Sequence, residues 1–183
     1  MTRIGLLIAS ARPSRVGEHV AQWVRDGLDA REHEVEIDLI DLRETVLPAF
    51  DGLTSPKADP TKTTDHARAW GERIEALDAL IIVTPEYNGS YPGALKNVID
   101  YLYQEWSDLP VMMVGYGWAA GAGALELLER LLNRIGADVT GSVGLGFPDD
   151  LSLDGDIHVG EDKAAALKEG LETLETRVLS SVA

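Results

Sequence analysis

The stretch 84–103, TPEYNGSYPGALKNVIDYLY, constrains the fold more than any other part of the chain. Just before it, Ala79-Leu80-Ile81-Ile82-Val83 is a short apolar run rich in branched residues. That is the pattern of a strand buried on both faces of a parallel sheet. Just after it, Ala94, Leu95, Val98, Ile99 and Leu102 recur at helical spacing. Between them lie Pro85, Pro92, Gly89, Gly93 and Asn88, residues that fix turns. Pro92 suits the first helical turn, where its missing N–H costs nothing, and Ser90 is placed to cap it. A rigid, polar loop therefore sits at the carboxyl end of a central strand and opens onto a helix N-terminus. Open α/β sheets bind ligands at that place.

The loop has the chemistry to hold a planar, heteroatom-rich ring. Pro85 stiffens it, Glu86 and Asn88 supply hydrogen-bonding groups, Tyr87 supplies an aromatic face, and Gly89 leaves the backbone open to approach. The bland alternative is a rigid strand–helix turn that binds nothing.

A second loop follows the first strand candidate, 3–9 (RIGLLIA). It reads Ser10-Ala11-Arg12-Pro13-Ser14-Arg15, and Val16, Val20, Trp23, Val24 and Leu28 then mark a helix ending near Arg31. Strand, polar loop and helix in that order aim backbone N–H groups and a helix dipole at an anion. Two arginines and two serines add side-chain donors, and Arg matches phosphate in a forked geometry. Alternatively, the arginines merely solvate the loop. No dinucleotide fingerprint follows this strand and no Walker motif occurs, so a mononucleotide fits better than a tightly held dinucleotide.

The remaining chain alternates in the same way. Val35, Ile37 and Leu39 alternate with Glu36 and Asp38 as in a half-exposed edge strand. The segment 41–63, with Pro48, Pro56 and Pro60, is too long for an idle connector and is expected to cover the site or a subunit contact. A helix over 65–77 turns Ala69, Trp70, Ile74 and Leu77 inward and leaves Glu72 and Glu75 in solvent. Strands are expected over 109–116 and 138–145. Between them Leu125, Leu128, Leu131, Leu132 and Ile135 mark a helix, and Leu167, Leu171, Leu174 and Val178 mark the last one. The run from Gly115 to Ala120 formally matches G-x-G-x-x-(G/A), but it follows a late strand, and the acid at the right distance, Asp138, starts the next strand instead of ending it. Gly115, Tyr116 and Gly117 read better as a second ring-binding loop. Trp118 is either a ring-edge contact or a surface plug. Asp149, Asp150, Asp154 and Asp156 lack the spacing of a calcium loop, so a solvated loop is favoured.

The two loops resemble those of the NADPH-dependent FMN reductase family, a branch of the flavodoxin-like fold. The resemblance rests on Pro85-Glu86-Tyr87-Asn88-Gly89, on Pro92-Gly93-Ala94-Leu95-Lys96-Asn97, and on the Ser-X-Arg-X-X-(Ser/Arg) pattern starting at Ser10. It implies a flavodoxin-like α/β three-layer sandwich with a five-stranded parallel sheet in the order 2-1-3-4-5. It implies bound FMN and NAD(P)H as co-substrate. Ser10, Arg12, Ser14, Arg15 and the N–H of Val16 would hold the FMN phosphate. Pro85, Glu86, Tyr87, Asn88 and Gly89, with Gly115, Tyr116 and Gly117, would hold the ring. At the last loop the chain has Ala119-Ala120-Gly121 where the family has a Gly-Gly pair. The flavin carries the chemistry, so no side chain is expected to act as catalytic acid, base or nucleophile. Electrons would pass to a small acceptor: a quinone, a free flavin, an azo dye, a metal oxyanion or oxygen. A homodimer or homotetramer is implied as well. The alternative function is a non-enzymatic electron carrier of flavodoxin type, and a third is a flavin- or nucleotide-responsive module without turnover.

Composition bounds these readings. A length of 183 residues fits one domain spanning 1–183. A net charge of −15 argues against nucleic acid and anionic membrane surfaces. No apolar run is long enough to span a bilayer, and the N-terminal MTRIGLLIASARPS reads as a strand and not a signal peptide. The chain has no cysteine, which excludes disulfides and thiolate chemistry and suits a cytoplasmic protein. His19, His33, His66 and His158 are scattered, so no metal site is expected.

Overall fold

The computed structural model describes residues 1–31 and 35–181. Five strands alternate with five helices: β1 (Thr2–Ile8), α1 (Gly17–Asp29), β2 (Val35–Asp41), α2 (Asp65–Glu75), β3 (Ala79–Pro85), α3 (Gly93–Asp100), β4 (Pro110–Gly117), α4 (Ala122–Ile135), β5 (Asp138–Gly146) and α5 (Glu161–Ser181). The strands form one parallel sheet in the order β2-β1-β3-β4-β5. This is the flavodoxin-like architecture expected from the loop resemblance. The register aligns Ile8 with Val83, and Val83 with Val114, so the loops after β1, β3 and β4 leave the sheet at one edge.

Alternation along the buried strands sorts the core into two layers. On one face Ile4, Leu6, Ile8, Ile81, Val83, Met112 and Val114 pack against Val20, Val24 and Leu28 of α1 and Leu167, Leu171 and Leu174 of α5. On the other Leu7, Leu80, Ile82, Val111 and Met113 pack against Trp70 and Ile74 of α2, Leu95 and Ile99 of α3, and Leu128 and Leu132 of α4. β3 and β4 are buried throughout, as continuous apolar runs in a parallel sheet must be. β2 is the edge strand, and only Ile40 in it is fully covered.

Local details depart from the expected pattern. Ala69 and Ala94 face solvent, and in α2 the inward side is carried by Ala67, Trp70, Gly71 and Ile74. Ser90 does not cap α3. Pro92 is the cap residue, with no side-chain capping bond, and Ser90 instead closes a tight turn with Tyr87 through two backbone hydrogen bonds of 2.7 and 3.1 Å. The long segment after β2 folds over α2 and α3: Asn97 donates to the Pro48 carbonyl and accepts from the Phe50 N–H, and the Tyr101 hydroxyl donates to Asp51. His33 lies outside the described residues.

Candidate functional site

The loop 9–16 closes onto the start of α1. The Val16 side chain makes no capping hydrogen bond and the His19 N–H donates to the Val16 carbonyl, which leaves the N–H groups of Gly17 and Glu18 to be satisfied from outside the helix. Gly17 opens the helix in close quarters: an added Cβ would lie 2.9 Å from the Tyr116 hydroxyl oxygen. Arg12 and Ser14 are exposed, while Ser10 is buried. The Arg12 guanidinium lies over the Tyr87 ring, 5.8 Å from its centroid, and forms no ion pair among the described residues.

Arg15 is differently placed. Its side chain is only 4% exposed and makes four hydrogen bonds: two to the Asp41 carboxylate, one to the Ser10 carbonyl and one to Glu18. A guanidinium has five N–H donors, so most of its capacity is used within the protein. The hydrogen bonds from Arg15 hold the Asp41 carboxyl below the usual carboxylate range, and the same pairing raises the Arg15 pKa. Arg15 thus ties the loop after β1 to the carboxyl end of β2.

The loop after β3 meets the first loop directly. The Ser10 and Tyr87 hydroxyls are 2.6 Å apart and hydrogen-bonded. The Glu86 N–H donates to the Tyr116 carbonyl, and its carboxylate accepts from the N–H groups of Gly123 (2.8 Å) and Ala124 (3.4 Å). Glu86 therefore caps α4, whose own cap position is Gly121, a residue without a side chain. Asn88 and Gly89 form the exposed tip of this turn, both with positive φ.

Tyr116 comes from the buried end of β4. It is 4% exposed, and its hydroxyl is buried beside Ser10 without a hydrogen bond of good geometry. Burial, with Tyr87 nearby, pushes its pKa up and keeps it a neutral donor at all ordinary pH values. The hydroxyl stands where the loop 9–16 meets the first residue of α1.

These segments enclose a cleft of about 450 Å³, within the ~300–1,000 Å³ range of small-molecule sites. Ser10, Arg12, Ser14, Arg15, Val16, Pro85, Glu86, Tyr87, Tyr116 and Gly117 line it, ten positions expected from the sequence. Asn88 and Gly89 do not. Gly115 does not line it either: alternation turns it to the opposite face, where its missing side chain makes room for Leu125. Three further residues complete the wall: Trp118, Phe147 and Leu153. Sequence reasoning left Trp118 open and missed the other two, which follow the last strand. Their one available signal was their place at the carboxyl end of β5. None of the residues in 42–64 lines this cleft.

The donor set suits a phosphorylated flat cofactor. Ser10, Arg12, Ser14 and Val16 come from the loop after β1, and Pro85, Tyr87 and Gly117 from the carboxyl ends of β3 and β4 and the loop after β3.

The chain is similar to known proteins in sequence and in fold. The sequence model for "NADPH-dependent FMN reductase" matches residues 2–150. An NAD(P)H-dependent FMN reductase of Saccharomyces cerevisiae is 31% identical over 155 residues, covering 80% of this chain and 81% of that protein. An FMN-dependent NADPH-azoreductase of Staphylococcus haemolyticus is 27% identical over 172 residues, covering 87% of this chain and 86% of the relative. Among solved structures, the flavoenzyme NAD(P)H:(acceptor) oxidoreductase of Paracoccus denitrificans superposes with a TM-score of 0.70 at 22% identity over 98% of both chains, a likeness of fold.

Proposed function

Because the chain belongs to the NADPH-dependent FMN reductase family, we propose that it is an FMN-dependent NAD(P)H oxidoreductase that reduces a small acceptor. The observation that carries this reading is a cleft of the right size in which the loop 9–16 meets the Tyr87 loop, joined by the Ser10–Tyr87 hydrogen bond.

When bound, FMN supplies the redox chemistry, accepting a hydride from the nicotinamide and returning two electrons to the acceptor. The chain supplies binding and position. In this reading the α1 N-terminus, Ser10, Ser14 and the exposed Arg12 hold the phosphate, and Arg15 braces their loop through Asp41. Pro85, Tyr87 and Gly117 frame the ring edge and exclude water from it. The Ser10–Tyr87 hydrogen bond couples the phosphate end to the ring end. Glu86 is committed to the start of α4 and holds the loop's shape, so it carries no proton to substrate. No other side-chain acid or base is needed, because the nicotinamide and then the acceptor need only be positioned face to face with the flavin.

The same reading makes the chain a single-domain, cytoplasmic homodimer or homotetramer, a state that light scattering on the purified protein measures. A flavodoxin-type carrier is the competing reading, favoured by the net charge of −15, since acidic faces steer basic redox partners. An absorbance spectrum with added FMN, followed by anaerobic NADPH, separates them. A flavin band that bleaches on NADPH supports the reductase. A bound flavin that NADPH leaves oxidised supports the carrier, and no flavin binding removes both.

A further inference from the structure

The mouth of the cleft differs in character from its floor. The floor residues Ser10, Pro85 and Tyr116 are buried, whereas Trp118 and Leu153 at the rim are 73% and 62% exposed. Both large apolar side chains sit on turns that hold them in place. The Trp118 turn is fixed by Gly121, whose φ of 71° and added-Cβ distance of 2.7 Å to the Tyr116 nitrogen admit no side chain. The Gly117 carbonyl accepts from Ala120 and Phe147 N–H groups, and the Trp118 ring meets the Phe147 ring edge-on at 5.7 Å. Leu153 stands at the tip of a small hairpin closed by the Leu151–Ile157 bridge. The Ser152 hydroxyl oxygen accepts there from the N–H groups of Asp154 and Asp156.

Two turns from different loops thus present apolar side chains to one opening. Such a clustered apolar rim marks a contact site more than it does ordinary surface. Carboxylates cluster on the hairpin side of this rim, while Arg12 lines the same cleft. Asp149, Asp154 and Asp156 are exposed around Leu153, while Asp150 is turned inward to accept from the Gly146 N–H.

We propose that Trp118, Phe147 and Leu153 form the subsite for the electron acceptor, and that it takes flat, uncharged aromatic acceptors while its neighbouring carboxylates disfavour anionic ones. The assignment rests on the FMN-reductase reading above. The aromatic pair offers an edge and a face to a flat ring. A nicotinamide dinucleotide must share the flavin face, but the carboxylates of this rim repel its pyrophosphate. With a quinone as acceptor, NAD(P)H gives up two electrons and one proton as hydride, solvent gives the second proton, and the quinone becomes the hydroquinone, leaving NAD(P)⁺.

The test uses a matched pair of probes, 1,4-naphthoquinone and 1,4-naphthoquinone-2-sulfonate, on the FMN-loaded protein. Wild type is expected to favour the uncharged probe in kcat/KM, and the preference should shrink as salt is raised. Trp118→Ala should lower kcat/KM for 1,4-naphthoquinone about tenfold, mainly through KM, and Trp118→Phe should restore most of it. Asp149→Asn with Asp154→Asn should narrow the gap between the probes by improving the sulfonate alone. Binding is read without turnover: 1,4-naphthoquinone added to the oxidised protein should quench tryptophan fluorescence saturably, and Trp118→Ala should abolish that component. Trp70 and Trp106 are buried and Trp23 is partly covered, so the exposed ring dominates the change.

The rate at which anaerobic NADPH bleaches the flavin is measured on the same variants. Bleaching in wild type with no effect of Trp118→Ala on either probe overturns the subsite while leaving the reductase reading intact. Absence of bleaching in wild type overturns the reductase reading itself. A Trp118→Ala defect in bleaching equal to the acceptor defect would assign the rim to the nicotinamide and overturn the proposal. A change in sedimenting mass on that substitution would assign it to a second copy of the chain, with the same consequence.

Discussion

Asp41→Asn separates two roles for Arg15 by the sign of its effect. If Arg15 binds the FMN phosphate directly, losing the Asp41 charge frees the guanidinium and removes a repulsive carboxylate, so FMN binds more tightly. If Arg15 is a brace, the loop 9–16 loses its anchor to β2, and FMN binds more weakly. The geometry supports the brace, since the Arg15 side chain is 4% exposed and that of Asp41 16% exposed. Pairs at the surface are worth roughly 0.2–1 kcal/mol, and breaking a fully buried pair costs about 3–5 kcal/mol. This pair lies between, and Asn keeps the volume and one acceptor, so a loss of about 2 kcal/mol is expected. In a domain of this size each kcal/mol moves Tm by about 2–4 °C, which places the drop at roughly 4–8 °C.

Scanning calorimetry of the flavin-free protein measures that drop, and equilibrium dialysis with FMN measures Kd. The expected pair of results is a lower Tm and a Kd raised severalfold. The pH dependence has a fixed sign. Asp41 has a folded pKa below its unfolded value of about 3.9. Its contribution is therefore fully present above the unfolded value and is lost as pH falls through the folded one. The Tm gap between wild type and variant should be flat at neutral pH and narrow only under acid conditions. An unchanged Tm together with tighter FMN binding would refute the brace and return Arg15 to the phosphate.

Three further outcomes test the site. Tyr116→Phe removes a buried hydroxyl that has no hydrogen bond of good geometry, so the flavin-free protein should gain about 1 kcal/mol of stability. A loss of stability in calorimetry without FMN would show that the hydroxyl is satisfied within the protein. Glu86→Ala removes the cap of α4 and should cost about 1 kcal/mol in chemical denaturation. The shape of the pH profile of NAD(P)H oxidation should stay the same, and a lost limb would make Glu86 a proton donor. Gly144→Ala should be strongly destabilising, by roughly 1–3 kcal/mol, because the new methyl would stand 2.3 Å from the Ala120 carbonyl oxygen. Its tryptophan fluorescence should shift as the Trp118 turn is displaced, and an unaltered melt and spectrum would show that the turn yields freely.

Much of the molecule can be read along the chain because its information is local. The all-apolar 79–83 run, the alternating 35–39 run and the helical spacing in 125–135 each report burial on known faces of one element. The loops after β1 and β3 carry turn residues and polar groups within a few positions, so two walls of the cleft were legible. Ser90 shows the limit even there: Ser at a helix entrance is a good cap by propensity, but the two-bond turn with Tyr87 takes its backbone elsewhere.

Other features arise between elements distant in sequence. Arg15 looks like a free phosphate ligand until β2 is placed beside β1, which brings Asp41 within hydrogen-bond reach. Glu86 looks like a residue of the ring-binding loop until α4 begins beside it. Gly115 and Tyr116 are neighbours in the chain, but the pleat of β4 sends one toward α4 and the other into the cleft. Phe147 and Leu153 join the site only because β5 ends at the same edge as β1, β3 and β4. Sequence by itself determined the layers, the strand and helix order and the two ligand loops, since periodicity and turn chemistry act within a few residues. Only the tertiary structure decided which charges are spent on each other and which side chains face the opening, because pairing and facing depend on sheet order and on the alternation of the pleat.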